Sequence, residues 1–214
     1  MNIFVLDRNP FIAAQLHNDK HCVKMILESA QLLSTAHRMV DGIPYTDRTA
    51  NNRRIQRWKH SDAERDRLLL KATHINHPCN VWVRSHRFHY QWLFNLFSEL
   101  TEEYTHRYYK DHAYSVKKNP EFYHALECIP HGLHKMTGDV CAPPQAMPNE
   151  YKVLGPSWDA TVSAYHNYYR GAKASFSTWK NKKTPTFMCG NNSVVECDLA
   201  KVEVAGSNPV SRSS

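Results

Sequence analysis

Two long amphipathic periods constrain this chain more than anything else in it. Over residues 10–40, Ile12, Leu16, Val23, Ile26, Leu27, Ala30, Leu33, Met39 and Val40 recur at helical spacing. Over residues 79–110, Val81, Trp82, Phe88, Trp92, Leu93, Leu96, Phe97, Leu100 and Tyr104 do the same. Each period predicts one long helix. A third helix is expected from about Asp159 to Lys180, and a partly helical, strongly basic stretch over 50–72. Asp41–Thr49, with Gly42 and Pro44, reads as a loop, as does most of 112–157, which holds six prolines. Strand-like alternation is almost absent. The expected fold class is therefore all-α: one compact domain of several helices with long loops, spanning 1–187, and a disordered tail.

The tail is expected to be foreign to that domain. Residues 188–214 contain no aromatic side chain and continue no period. Back-translated, the segment reads as a transfer-RNA gene: Gly206-Ser207-Asn208-Pro209 fits the TψC arm, and Leu199-Ala200-Lys201 fits an anticodon loop. It is expected to be an unstructured read-through product without function. All 14 histidines precede it, and so do 25 of the 27 basic and 17 of the 20 acidic residues, so the body carries +8 against +7 for the whole.

Composition narrows the function classes. The positive balance suits an anionic partner. No apolar run of 18 residues is present, so no membrane span is expected. Met1–Pro10 lacks the basic and apolar regions of a secretion signal, and the six scattered cysteines suit reduced thiols. A cytoplasmic location, in a bacterial or phage-infected cell, is the expectation.

Three clusters carry chemistry. His17, His21, Lys24 and Glu28 are spaced 4, 3 and 4, which on one continuous helix aligns two imidazoles, an amine and a carboxylate along a single face. That is a compact acid/base set, with Asp19 and Lys20 beside it and Val23, Ile26 and Ala30 opposite, packing inward. The bland alternative is a solvated face with a Lys24–Glu28 ion pair, worth a few tenths of a kcal/mol. His17 and His21 could ligate a metal, but no HExxH frame or zinc-spaced cysteine pair accompanies them, so neither metal nor cofactor is expected. In the second cluster, Asn76-His77-Pro78 opens a helix that leads to Trp82 and Arg84, a place for a phosphate or a plain helix cap. The third is Glu103-x-x-x-Arg107 with Tyr108 and His112. Basic residues interleave with aromatics in Arg53–Lys59 and in Tyr165–Lys183, which includes Lys180, a pattern that grips phosphates and stacks bases.

These residues resemble the pyrimidine-dimer DNA glycosylases of the phage endonuclease V type. Ala13-Ala14-Gln15-Leu16-His17 leading to Lys24 and Glu28 is similar to that family's first helix, with its His and catalytic glutamate. Glu103, Arg107, Tyr108 and His112 are similar to the end of its middle helix, and Tyr165–Lys183 to its DNA-contacting C-terminus. The segments HNDKHCVKMILESAQLLSTAHR, NHPCNVWVR and QAMPNEYK more closely resemble an uncharacterised set of phage and marine-microbial proteins, over residues 1–187.

The glycosylase resemblance implies an all-α monomer acting on double-stranded DNA. Glu28, Lys24, His17 and His21 would be catalytic. Asp19, Lys20, Asn76, His77, Trp82, Arg84, Arg107 and Lys180 would bind substrate. Two departures stand out. The family nucleophile is the α-amine of a processed N-terminal threonine, whereas residue 2 here is Asn2, which leaves Met1 in place. The family glutamate follows its histidine by seven positions, where this chain has Lys24, with Glu28 one turn further on. The expected function is a base-excision enzyme on damaged or modified pyrimidines, possessing lyase activity if an amine attacks the sugar. A nucleotide- or base-modifying enzyme on a small substrate, and a non-catalytic DNA-binding protein, remain as alternatives.

Overall fold

The computed structural model describes residues 1–189. The expected tail therefore lies, beyond Met188 and Cys189, outside the described residues. Among the described residues the chain is mostly helical, with seven α-helices and one two-stranded sheet. The expectation of a purely α fold is corrected by that sheet.

The buried segment Ile3–Leu6 leads into α1 (Pro10–Leu16). Asn9 caps α1, its side chain accepting from Phe11 N, and Pro10 sits at the first helical position. The single helix expected over 10–40 is broken at His17 and Asn18. Both residues are extended, and the Asn18 side chain accepts from His21 N to open α2 (Asp19–Asp41). An asparagine inside a helical period is a cap as readily as an interior residue, because its side chain competes for backbone donors.

At the far end of α2 the expected loop is a strand. β1 (Gly42–Arg48) pairs antiparallel with β2 (Arg54–His60), Gly42 opposite His60 and Arg48 opposite Arg54. The turn is closed by Thr49 N to Arg53 O, with Asn52 at φ +59°. Gly42 is required at the junction: a Cβ there would stand 2.2 Å from Arg38 O. The buried Arg38 guanidinium fixes the base of the hairpin. It donates to Trp58 O, Leu69 O and Leu70 O and forms an ion pair with Asp66.

Of the basic stretch 50–72, only α3 (Ala63–Leu68) is helical. The second long period also divides. α4 (Pro78–Val83) ends at Arg84, and α5 (Arg87–Tyr108) starts from a His86 cap. α2 and α5 pack together and hold the core, with Met25, Ile26, Leu32 and Leu33 from one and Leu93, Leu96, Phe97 and Leu100 from the other all buried. α1 lies along α5, and α6 (Pro120–Glu127) contributes Phe122 and Leu126. α7 (Trp158–Tyr168) widens into a π turn over Tyr169–Lys173, so the last helix is shorter than expected. No described helix is long and apolar enough to cross a membrane.

Candidate active site

The start of the chain lies against the middle of α2. The Met1 α-amine stands 3.9 Å from Glu28 Oε2, and Asn2 N donates to the same oxygen at 2.9 Å. Lys24 Nζ is 3.2 Å from Glu28 Oε1. One carboxylate, 13% exposed, is thus flanked by two amines. Asn2 holds the arrangement in place. Its Oδ1 accepts from the Tyr165 hydroxyl at 2.6 Å and from Ile3 N at 2.7 Å, and its Nδ2 donates to Ala146 O at 2.7 Å. Phe4, at φ +54°, turns the chain back into the core.

His77 caps α4, its Nδ1 accepting from Cys79 N at 3.2 Å. Burial lowers its basicity, and the charges of the Met1 amine and His74 act in the same direction, against an opposing effect of Glu28. His77 therefore shares its electrostatic surroundings with the amine and carboxylate. The buried Cys79 thiol lies behind, pushed up to about 12 by burial.

Lys24 and Glu28 pair at one end of the predicted set, with His77 within electrostatic range of Glu28 and the Met1 amine; His17 and His21 lie elsewhere, in the core. His17 and Glu28 do not share a helix face, because the chain breaks between α1 and α2. His17 is fully buried: its Nδ1 donates to Ala13 O at 2.7 Å, its Nε2 has no partner, and burial pushes its pKa down to about 4. His21 bonds through Nδ1 to the Tyr169 hydroxyl at 2.6 Å and stacks on Phe4 at 4.1 Å between centroids. Its pKa is pushed down to about 3, by burial first and then by His17, Lys173 and Lys24. Both imidazoles are held neutral in the core, so neither reaches a phosphate. Val23, expected to pack inward, is exposed on the same side as Lys24 and Leu27.

Asp19 and Arg107 are corrected from substrate contacts to structural ones. Arg107 has no exposed side-chain surface. It donates to Glu103 Oε1 at 2.7 Å, Asp19 Oδ1 at 3.0 Å and Gln15 O at 3.0 Å. Lys182 Nζ reaches Glu103 Oε2 at 2.7 Å, and Asp19 also accepts from Thr178 Oγ1 and Lys180 N. The network fastens the C-terminal segment to the junction of α1 and α2. Trp82 is corrected likewise: it is buried, stacked on His89 at 4.5 Å, and donates to Cys141 O, leaving no face for a base. Arg84 is half-buried and bonded to Asn80 Oδ1 at 2.8 Å. Asn76 is exposed in the loop before α4. Lys20 and Lys180 are exposed, their amines lying over the Phe176 and Tyr108 rings at 4.9 and 5.5 Å from the centroids.

Sequence reasoning missed Asn2 and Tyr165 as the pair that positions the N-terminus, since no local spacing links residues 163 apart. It also missed the hairpin, which carries exposed Arg48, Arg53, Arg54 and Lys59 beside the half-exposed Tyr45. Cys22, Cys79, Cys128 and Cys141 are free thiols, whereas Cys189 is disulfide-bonded, a departure from the expected fully reduced set. No protein family, curated protein or solved structure matches this chain.

Proposed function

We propose that the chain is a DNA base-excision enzyme: a glycosylase with an associated lyase step that acts on damaged or modified pyrimidines. The observation that carries this reading is the Glu28 carboxylate flanked by the Met1 α-amine at 3.9 Å and by Lys24 Nζ at 3.2 Å. An amine of this cluster adds to the sugar C1′ as the N-glycosidic bond breaks. The amine nitrogen supplies the electron pair of the new C–N bond. The departing base keeps the pair of the old bond and takes a proton. Glu28 accepts the proton that the amine sheds. Ring opening then gives an imine, and loss of the 3′ phosphate by β-elimination nicks the strand.

The basic surface supports the same reading. The hairpin presents Arg48, Arg53, Arg54 and Lys59 to solvent, and Lys20, Lys173 and Lys180 sit over aromatic rings at the other end of α2. Cations spread over such a surface suit a duplex backbone more than a small nucleotide. Borohydride trapping on ultraviolet-irradiated, abasic and hydroxymethyl-pyrimidine duplexes tests the proposal. A covalent protein–DNA adduct supports it. Salt-sensitive DNA binding without adduct or base release moves the function to a binding protein. Absence of DNA binding moves it to a small substrate.

A further inference from the structure

A second cluster lies about 14 Å further along α2, taking nine residues of helix from Glu28 to His37, and plays no part in the chemistry above. His37 and Asp41 occupy the last turns of α2 at i, i+4, and His60 is the final residue of β2. One ligand atom from each lies within 4.8 Å of the others. Two polar atoms here, His37 Nδ1 and His60 Nε2, are buried without a hydrogen-bond partner of good geometry, although the Cys128 backbone also interacts with the His37 ring. Two unpartnered imidazole nitrogens beside a carboxylate are costly in an apolar interior unless something completes them.

The surroundings fix the state of the cluster. The Tyr90 hydroxyl donates to Leu126 O at 2.6 Å, so it accepts from His37 Nε2–H at 2.9 Å. His37 Nδ1 therefore carries the free lone pair. An outer hydrogen bond that sets the tautomer of a metal-binding histidine is a usual feature of such sites. Asp41 is held from behind, Oδ2 by His131 N at 2.7 Å and Oδ1 by Gly132 N at 2.8 Å, with lone pairs left over. Asp41 and His60 also line an open cleft of about 440 Å³, with Asp62, Arg65 and His131 around it.

We propose that His37, Asp41 and His60 bind a divalent transition-metal ion, zinc being the best match. Two imidazoles and one carboxylate with a fourth position facing a cleft form a three-protein-ligand zinc set. Ligand atoms on a tetrahedral zinc stand about 3.3 Å apart, given bonds of about 2.0–2.1 Å. Loading therefore draws the foot of the hairpin toward α2. Ligation by His60 Nε2 shifts its proton to Nδ1 and releases the Asp62 amide, 3.1 Å away, to the cleft. Arg65 opposes the cation, and the Asp41 and Asp62 carboxylates offset it. The consequence is a metal that clamps the basic hairpin to the helix bearing Glu28.

The test uses the full untagged chain, stripped with a chelator and dialysed against zinc or cobalt. The expected result is one ion per chain at micromolar metal, with X-ray absorption showing nitrogen and oxygen neighbours that include two imidazoles. His37→Gln with His60→Gln is expected to weaken binding on the order of a hundredfold or more, since two of three ligands are lost, against the tenfold to hundredfold seen for outer partners alone. No stoichiometric binding overturns the proposal. So does sulfur in the coordination shell, which assigns the ion to the cysteines, or affinity unchanged in the double variant. The absorption spectrum of the unmutated protein decides the matter even if the variant fails to fold.

Discussion

Replacing Arg107 by alanine separates a structural arginine from a DNA-binding one. The guanidinium is wholly buried and serves three acceptors: Glu103, Asp19 and the Gln15 carbonyl. Its removal leaves Glu103, 6% exposed, with Lys182 as its remaining ion-pair partner. Asp19 keeps Thr178 and Lys180 N, so the damage concentrates on Glu103 and the Gln15 carbonyl. Breaking a buried pair by deleting one partner costs about 3–5 kcal/mol. In a chain of this size about 1 kcal/mol moves the melting midpoint by about 2–4 °C, so Arg107→Ala should lower it by roughly 6–20 °C. Urea unfolding followed by circular dichroism gives the free energy, and DNA titration at several salt concentrations gives the number of phosphate contacts. A purely structural Arg107 gives a large stability loss with the salt slope unchanged at a temperature where the variant is folded. A loss under about 1 kcal/mol, together with a slope reduced by about one unit, would refute it and return Arg107 to the DNA interface.

Further outcomes follow from other parts of the structure. Stability should fall on acidification from pH 7 to 5.5. His17 and His21 have folded pKa values pushed down to about 4 and about 3, chiefly by burial, so the unfolded chain binds more protons below its own value of about 6.5. Their contribution is fully present above about 6.5 and lost toward 4 for His17 and toward 3 for His21, about 1.4 kcal/mol each per pH unit. A urea midpoint that rises on acidification contradicts neutral burial. Arg53→Gln with Arg54→Gln on the exposed hairpin should reduce the salt slope of DNA binding by about two, with melting unchanged; an unchanged slope removes the hairpin from the interface. Tyr165→Phe removes the hydroxyl that donates to Asn2 Oδ1 at 2.6 Å, and should cost about 1–2 kcal/mol of stability. It should slow adduct formation on abasic DNA by more than it weakens DNA binding. Equal effects on both would show that Tyr165 does not position the amine.

The helical character of α2 and α5 was legible because each buries one continuous stripe against the other, and apolar spacing reports that directly. The break at Asn18 was not, since a cap and an interior asparagine share one spelling, and that single residue dissolved the apparent alignment of His17 with Glu28. The hairpin was hidden for a different reason. Its strands are largely exposed, so the apolar alternation that marks a half-buried strand is missing, and the Arg38 clamp and Gly42 junction that support it are long-range contacts. Lys24, Glu28 and His77 could be singled out from local spacing. The placing of Met1 against the Lys24–Glu28 pair depends on Asn2, Tyr165 and Ala146, which no local pattern connects.

The most direct test of the central claim is peptide mapping of a borohydride-trapped adduct on abasic duplex DNA. The expected result is a reduced C–N linkage at the Met1 α-amine or at Lys24, lost on chemical blocking of the amine concerned and absent in Glu28→Gln. Full trapping in Glu28→Gln, or an adduct mapped to a lysine remote from α2, would contradict it.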